Sequence, residues 1–147
     1  MINRRHIRVK VMQSVYAMIT SKADDIIREE KFLKHSIQKL LDLYVLQLQV
    51  LVEVQKMAAK KIELSKKKHL ATKEELDPNT KFIENAAILN LVNSTSFTTF
   101  KNDNNINNWS LDDEYVKIVW SKLEKSNLYK SYISSDEYSF KEDKKFV

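Results

Sequence analysis

Apolar residues recur along this chain at steps of three and four, the spacing of one face of an α-helix. The first such stretch runs from Asn3 to Tyr16 and beyond. Ile7, Val11, Val15, Met18 and Ile19 fall on one stripe, which Met12, Tyr16 and Ile19 widen. Asn3 is placed to cap the helix, its side-chain oxygen accepting from amides one turn on. Thr20 to Asp25 reads as a turn and a new cap.

A long helix is predicted from about Asp25 to His69. Leu33, Ile37, Leu40, Tyr44, Leu48, Leu51, Ala58 and Ile62 trace one seam, broken at Gln55. Leu43, Leu46, Val50, Val54, Met57 and Leu64 trace a second beside it, so a wide face is expected to be buried. Residues 44–54 also alternate apolar and polar, the period of a strand. No turn residue bounds that stretch, which favours the helix. Beyond it, Thr72 with Glu75 fits a capping box, and Asp77-Pro78-Asn79 breaks the chain.

Phe82, Ala86 and Leu89, with Ile83 and Ala87 beside them, predict a helix of about twelve residues. Asn93 to Asn108 is rich in Asn, Ser and Thr. It reads as a long loop pinned by Phe97 and Phe100, with residues 94–109 expected to be mobile. Ser110 with Asp113 is expected to cap the next helix, whose buried face is Val116, Val119, Trp120 and Leu123. A short helix follows Asn127 with Tyr129, Tyr132 and Ile133. Ser134 to Asp136 turns the chain, and Glu142 to Val147 reads as the first turn of another helix. An apolar pair, Phe146-Val147, at the end of such a turn leads us to expect a natural chain that continues.

Composition narrows this picture. The chain has 147 residues, the length of one domain, no glycine and one proline. Strand-rich folds use glycine in hairpin turns, and phosphate-binding loops use it for close backbone approach. The expectation is an all-α helical bundle, residues 1–147 as a single domain, with one long helix. The absence of cysteine excludes disulfides and thiolate metal sites and suits a reducing cytoplasm. No charge-poor apolar run reaches the ~18 residues of a membrane span.

The net charge of +5 permits a polyanionic partner, and its distribution matters more than its size. Arg4, Arg5 and Arg8 crowd the first turns of the first helix, against the helix dipole, with no acid nearby. We expect the stripe to enter the core and the arginines to lie on its flank, facing solvent or a partner. The Lys-rich end of the long helix, Lys56, Lys60, Lys61 and Lys66 to Lys68, suits a helix C-terminus. A second phosphate-contacting patch is the alternative there. His6, His35 and His69 are scattered, and none has a ligand at metal spacing. No nucleophile, base and orienting group can be read together, so no enzyme, metal or cofactor is expected.

Arg4-Arg5-His6-Ile7-Arg8, followed by Gln13-Ser14-Val15-Tyr16, resembles the opening helix of the NusB family of bacterial transcription antitermination factors. Val15 stands where that helix has leucine. Asp77 to Phe82 looks like an insertion carried by longer members. The family's C-terminal motifs find no counterpart, as in an N-terminal portion of a longer protein. The resemblance implies a cytoplasmic, all-α RNA-binding protein. It implies binding to boxA-type leader RNA of ribosomal operons together with NusE, a small-subunit ribosomal protein, and through this complex to RNA polymerase. It puts Arg4, Arg5 and Arg8 on the RNA-contacting start of the motif, with Gln13 and Tyr16 on its later positions. Two other readings stand beside it: a helical protein-interaction module, and an RNA-binding appendage of an rRNA-modifying enzyme.

Overall fold

The computed structural model describes residues 3–68, 72 and 76–147. Among these, every regular element is helical. The helices are α1 (Arg4–Ser21), α2 (Ile26–Lys66), α3 (Ala86–Val92), α4 (Thr95–Asp103), α5 (Asn108–Leu111), α6 (Asp113–Lys125), α7 (Asn127–Ser134) and α8 (Phe140–Phe146). The all-α expectation holds, and α2 is one unbroken helix of 41 residues, about 60 Å long. Strand alternation in residues 44–54 therefore does not become a strand. Where length predicts one domain, the chain divides into two compact units, Met1–Val45 and Leu46–Val147, with the division inside α2. The predicted Thr72–Glu75 capping box lies outside the described residues.

The first unit holds α1 and the start of α2. Asn3 caps α1 as its sequence predicts. Its Oδ1 accepts from the His6 amide (3.0 Å), and His6 Nδ1 accepts from the Asn3 amide (3.4 Å). Histidine thus fills the place that Glu or Gln takes in most capping boxes. At the far end Lys22 is left-handed (φ 53°), which lets the Lys22 and Ala23 amides close on Ile19 O and Met18 O. Asp25 then accepts from the Arg28 amide (3.0 Å) and starts α2. No residue of α1 is buried. Lys10, Ser14 and Met18 are half-buried along one side, as are Leu33, Ser36, Ile37 and Leu40 in this part of α2.

The second unit holds the hydrophobic core: Val54, Ala58, Phe82, Ile88, Val116, Trp120 and Tyr132. Phe82 sits at its centre, stacked on Trp120 (5.6 Å between centroids) and meeting Tyr129 (5.6 Å) and Phe146 (5.9 Å) edge-on. Phe146 in turn stacks on Tyr132 at 4.1 Å. Phe146 thus lies within this aromatic group, whereas Val147 is exposed. The helix of Phe146 begins at Phe140, two residues before the predicted start, because Ser139 Oγ accepts from the Glu142 amide (3.2 Å).

Two further predicted boundaries are corrected by side-chain caps, and a third by a helix that starts without one. The twelve-residue helix from Phe82 is the seven-residue α3, because Asn85 Oδ1 accepts from the amides of Ala87 (3.0 Å) and Ile88 (3.1 Å). Phe82 and Ile83 lie in the turn before it, and Gln55 Nε2 donates to the Ile83 carbonyl. Residues 94–109 do not form a long loop. Ser94 caps α4, left-handed Asn105 (φ 51°) ends the turn after it, and buried Ile106 anchors the segment. Ser110 lies within α5 and does not cap α6, which starts after Asp112 without a side-chain cap.

A polar network fastens α8 to the rest of the unit. Asp143 Oδ1 accepts from the Tyr132 hydroxyl (2.6 Å), and Oδ2 accepts from the Ala86 amide (2.8 Å), one of the free donors at the start of α3. Asn85, fully buried, donates through Nδ2 to the Tyr132 oxygen (3.0 Å) and to the Asp143 carbonyl (3.3 Å). Beside it the Lys81 side chain is 1% exposed. Its Nζ donates to Ser135 O (2.8 Å), pairs with Glu142 (3.3 Å) and lies over the Tyr132 and Tyr138 rings. A buried ammonium needs this many partners. Burial, and then the Asp143 carboxylate, push the Tyr132 hydroxyl well above the usual tyrosine range. Burial, with Glu124 adding, pushes Tyr129 up to about 12.

Because the core lies in the second unit and no residue of α1 is buried, substitutions in the two should differ in cost. Ile88→Ala should lower the unfolding free energy by about 2–4 kcal/mol in urea titration. Val15→Ala should change it by less than ~0.5 kcal/mol.

Candidate nucleic-acid interface

All five residues singled out on α1 are exposed. Arg4, Arg5 and Arg8 occupy its first two turns. No acid occurs from Asn3 to Ala23, and none of the three arginines forms an ion pair with a described residue. Their charge adds to the positive partial charge at a helix N-terminus. The result is a compact cationic end with all of its guanidinium donors open to an incoming anion.

The placement of the other residues differs from expectation. At 3.6 residues per turn, Arg4 and Arg8 fall in the same sector as Val11 and Val15, not on the flank of the stripe. Arg8, Val11, Met12, Val15 and Tyr16 line one open groove of about 460 Å³ along the helix. The stripe itself does not enter the core: Ile7, Val11, Met12, Val15, Tyr16 and Ile19 are between 40% and 71% exposed. Cations and apolar side chains therefore share one face. Tyr16, the most exposed of the six, lies nearly in line with Arg5 three turns on. Gln13 comes two and a half turns after Arg4 and points to the opposite side of α1. The structure thus keeps Arg4 and Arg5 at the start of the helix, brings Arg8 and Tyr16 to one groove, and leaves Gln13 on the far side.

The lysines at the end of α2 are divided. Lys56 pairs with Glu53 (2.9 Å) and Lys61 with Glu124 (2.5 Å), whereas Lys60, Lys66 and Lys67 are exposed without an ion pair to any described residue. The α2 seams are likewise divided, with Val54 and Ala58 buried but Leu43, Tyr44 and Leu64 exposed. Among the described residues no three His, Asp or Glu side chains converge as metal ligands. His6 is engaged in the α1 cap, and His35 is exposed on α2. His69 lies outside the described residues. No described helix is long and apolar enough to cross a membrane.

Sequence reasoning missed the buried polar residues Gln49, Gln55, Lys81 and Asn85. Gln55 falls on the first α2 seam, where it interrupts the apolar steps, and no periodicity marks the other three. Gln49 is the unexplained one: it is fully buried on α2, and neither amide atom finds a hydrogen-bond partner among the described residues.

No protein-family model, no curated protein and no solved structure matches this chain. The likeness to the NusB opening helix therefore rests on the residues quoted for it.

The cationic end depends on α1 staying helical, and no residue of α1 is buried. Asn3→Ala removes the acceptor of the His6 amide and should cost about 1 kcal/mol locally. Amide exchange in the first turns of α1 should speed up about fivefold. The urea midpoint of the second unit should not move.

Proposed function

We propose that this chain is a non-enzymatic, cytoplasmic RNA-binding factor of the antitermination type, which reads a boxA-like single strand in company with NusE. The observation that carries the reading is the cluster of Arg4, Arg5 and Arg8, exposed, acid-free and without an ion pair to any described residue at the start of α1. A protein that needed these cations only for solubility gains nothing by crowding them against the helix dipole. Arginine also differs from lysine here. Its planar fork grips phosphate oxygens in pairs and stacks on unpaired bases. Single strands are read by that combination of phosphate contact and stacking, and the exposed ring of Tyr16 in line with Arg5 adds a surface for it. Gln13, on the far side of the helix, is outside this footprint.

The uncovered apolar face of α1 favours a second reading, a protein-interaction helix. The cations cluster at its N-terminal end, and the aliphatic side chains run on from there.

Filter binding of a boxA-like single strand at several salt concentrations tests the first reading. Changing Arg4, Arg5 and Arg8 together to alanine should weaken binding at least about tenfold and lower the salt slope by about 2. Tyr16→Ala should weaken it about fivefold or more, and Gln13→Ala should leave it within about twofold. Wild-type binding by the triple variant would refute the assignment.

A further inference from the structure

The anomaly of α1 is its apolar face. The helix has 18 residues and spans about 27 Å, yet buries none of them. Ile7, Val11 and Val15 follow one another at steps of four, with Met12 and Ile19 alongside, and all are exposed. This row is the i±4 ridge with which helices pack into one another's grooves. A stripe of aliphatic side chains this long has a solvation cost, and its chemistry narrows what can cover it.

Unpaired RNA fits it poorly, because bases stack on rings and the row from Val11 to Ile19 offers only Tyr16. A lipid surface also fits poorly. A helix lying on a bilayer keeps its cations off the apolar face, and here Arg8 lines the same groove as Val11 and Val15. A second copy of the chain would bring two such faces together. Each Arg8 would then be buried with no carboxylate on the opposing helix, since α1 carries no acid. The occupant that satisfies every feature has an aliphatic ridge of its own and carboxylates at one end.

We propose that the Val11–Val15–Ile19 face of α1 is the docking surface for an acidic amphipathic α-helix of another protein, packed antiparallel. The orientation follows from charge. The α1 N-terminus is positive twice over, through its dipole and through Arg4, Arg5 and Arg8, whereas the C-terminal end of any helix is negative. Antiparallel packing brings that end, with its flanking Asp or Glu side chains, onto Arg8. The aliphatic ridges then interlock along the rest of α1. Arg8 belongs to both surfaces, whereas Val11, Val15 and Ile19 lie outside the RNA-contacting set, so substitutions at those three separate this proposal from the RNA reading.

The test uses the full chain and two synthetic 18-residue helical peptides with the same leucine ridge. One carries glutamates beside the ridge and toward its C-terminus, and the other carries lysines there. In fluorescence anisotropy the glutamate peptide should bind in the micromolar range and the lysine peptide at least about tenfold more weakly. Val15→Asp should weaken the glutamate peptide at least about tenfold, while boxA-like RNA binding and the circular dichroism spectrum stay as in wild type. The proposal is overturned if the glutamate peptide does not bind, if both peptides bind alike, or if Val15→Asp binds it as wild type does. It is also overturned if what Val15→Asp abolishes is instead RNA binding, self-association in sedimentation, or flotation with phosphatidylglycerol vesicles.

Discussion

Three rings close around Phe82, and the second unit is built outward from that contact. Trp120 comes from α6, Tyr129 from α7 and Phe146 from α8, so one side chain in a turn before α3 ties together three helices. Aromatic side chains bury large areas and lose little rotamer freedom, which suits a unit made of helices of 4 to 13 residues beside α2. Helices this short are unstable alone. They persist because their apolar faces meet and because serine, asparagine and aspartate side chains take up the free amides at their ends. Asp143 shows the coupling most directly: it holds the Tyr132 hydroxyl and the first amide of α3 at once.

The first unit follows a different logic. α1 is held by its own ends, through the Asn3–His6 box at the start and left-handed Lys22 at the finish. An isolated helix of 18 residues is marginal in water. Three arginines in its first turns make it more so. A helix with an unfavourable charge arrangement and an uncovered apolar face is poorly explained as a stability element. Both features are explained if α1 is a surface for other molecules, with anion recognition at its N-terminal end and helix packing beyond.

The helical class and α2 were legible because the three- and four-residue steps run without a glycine to interrupt them. What a stripe faces is not written in its period. The stripe of α1 has the same spacing as the buried face of α6, yet Val116 and Trp120 are covered and Val11 and Val15 are not. The shared sector of Arg8, Val11 and Val15 could have been found by projecting the sequence on a helix. Residues 94–109 misled because serine and asparagine serve loops and helix caps equally, and only the Ser94 bond to the Phe97 amide and buried Ile106 decide between them. Lys81 and Asn85 look like surface residues in any window of sequence. Their burial depends on Glu142, Asp143 and Tyr132, more than forty residues away.

The central claim is that the α1 face is open and the second unit holds the core. The chain has no cysteine, so single introduced thiols report on this without background. The measurement is the rate at which V15C and I88C react with a thiol reagent under native conditions and in urea. The account predicts that V15C reacts at nearly its unfolded rate in native buffer. I88C should react only as the protein opens, slower by about three orders of magnitude or more. Equal protection of the two thiols would contradict it.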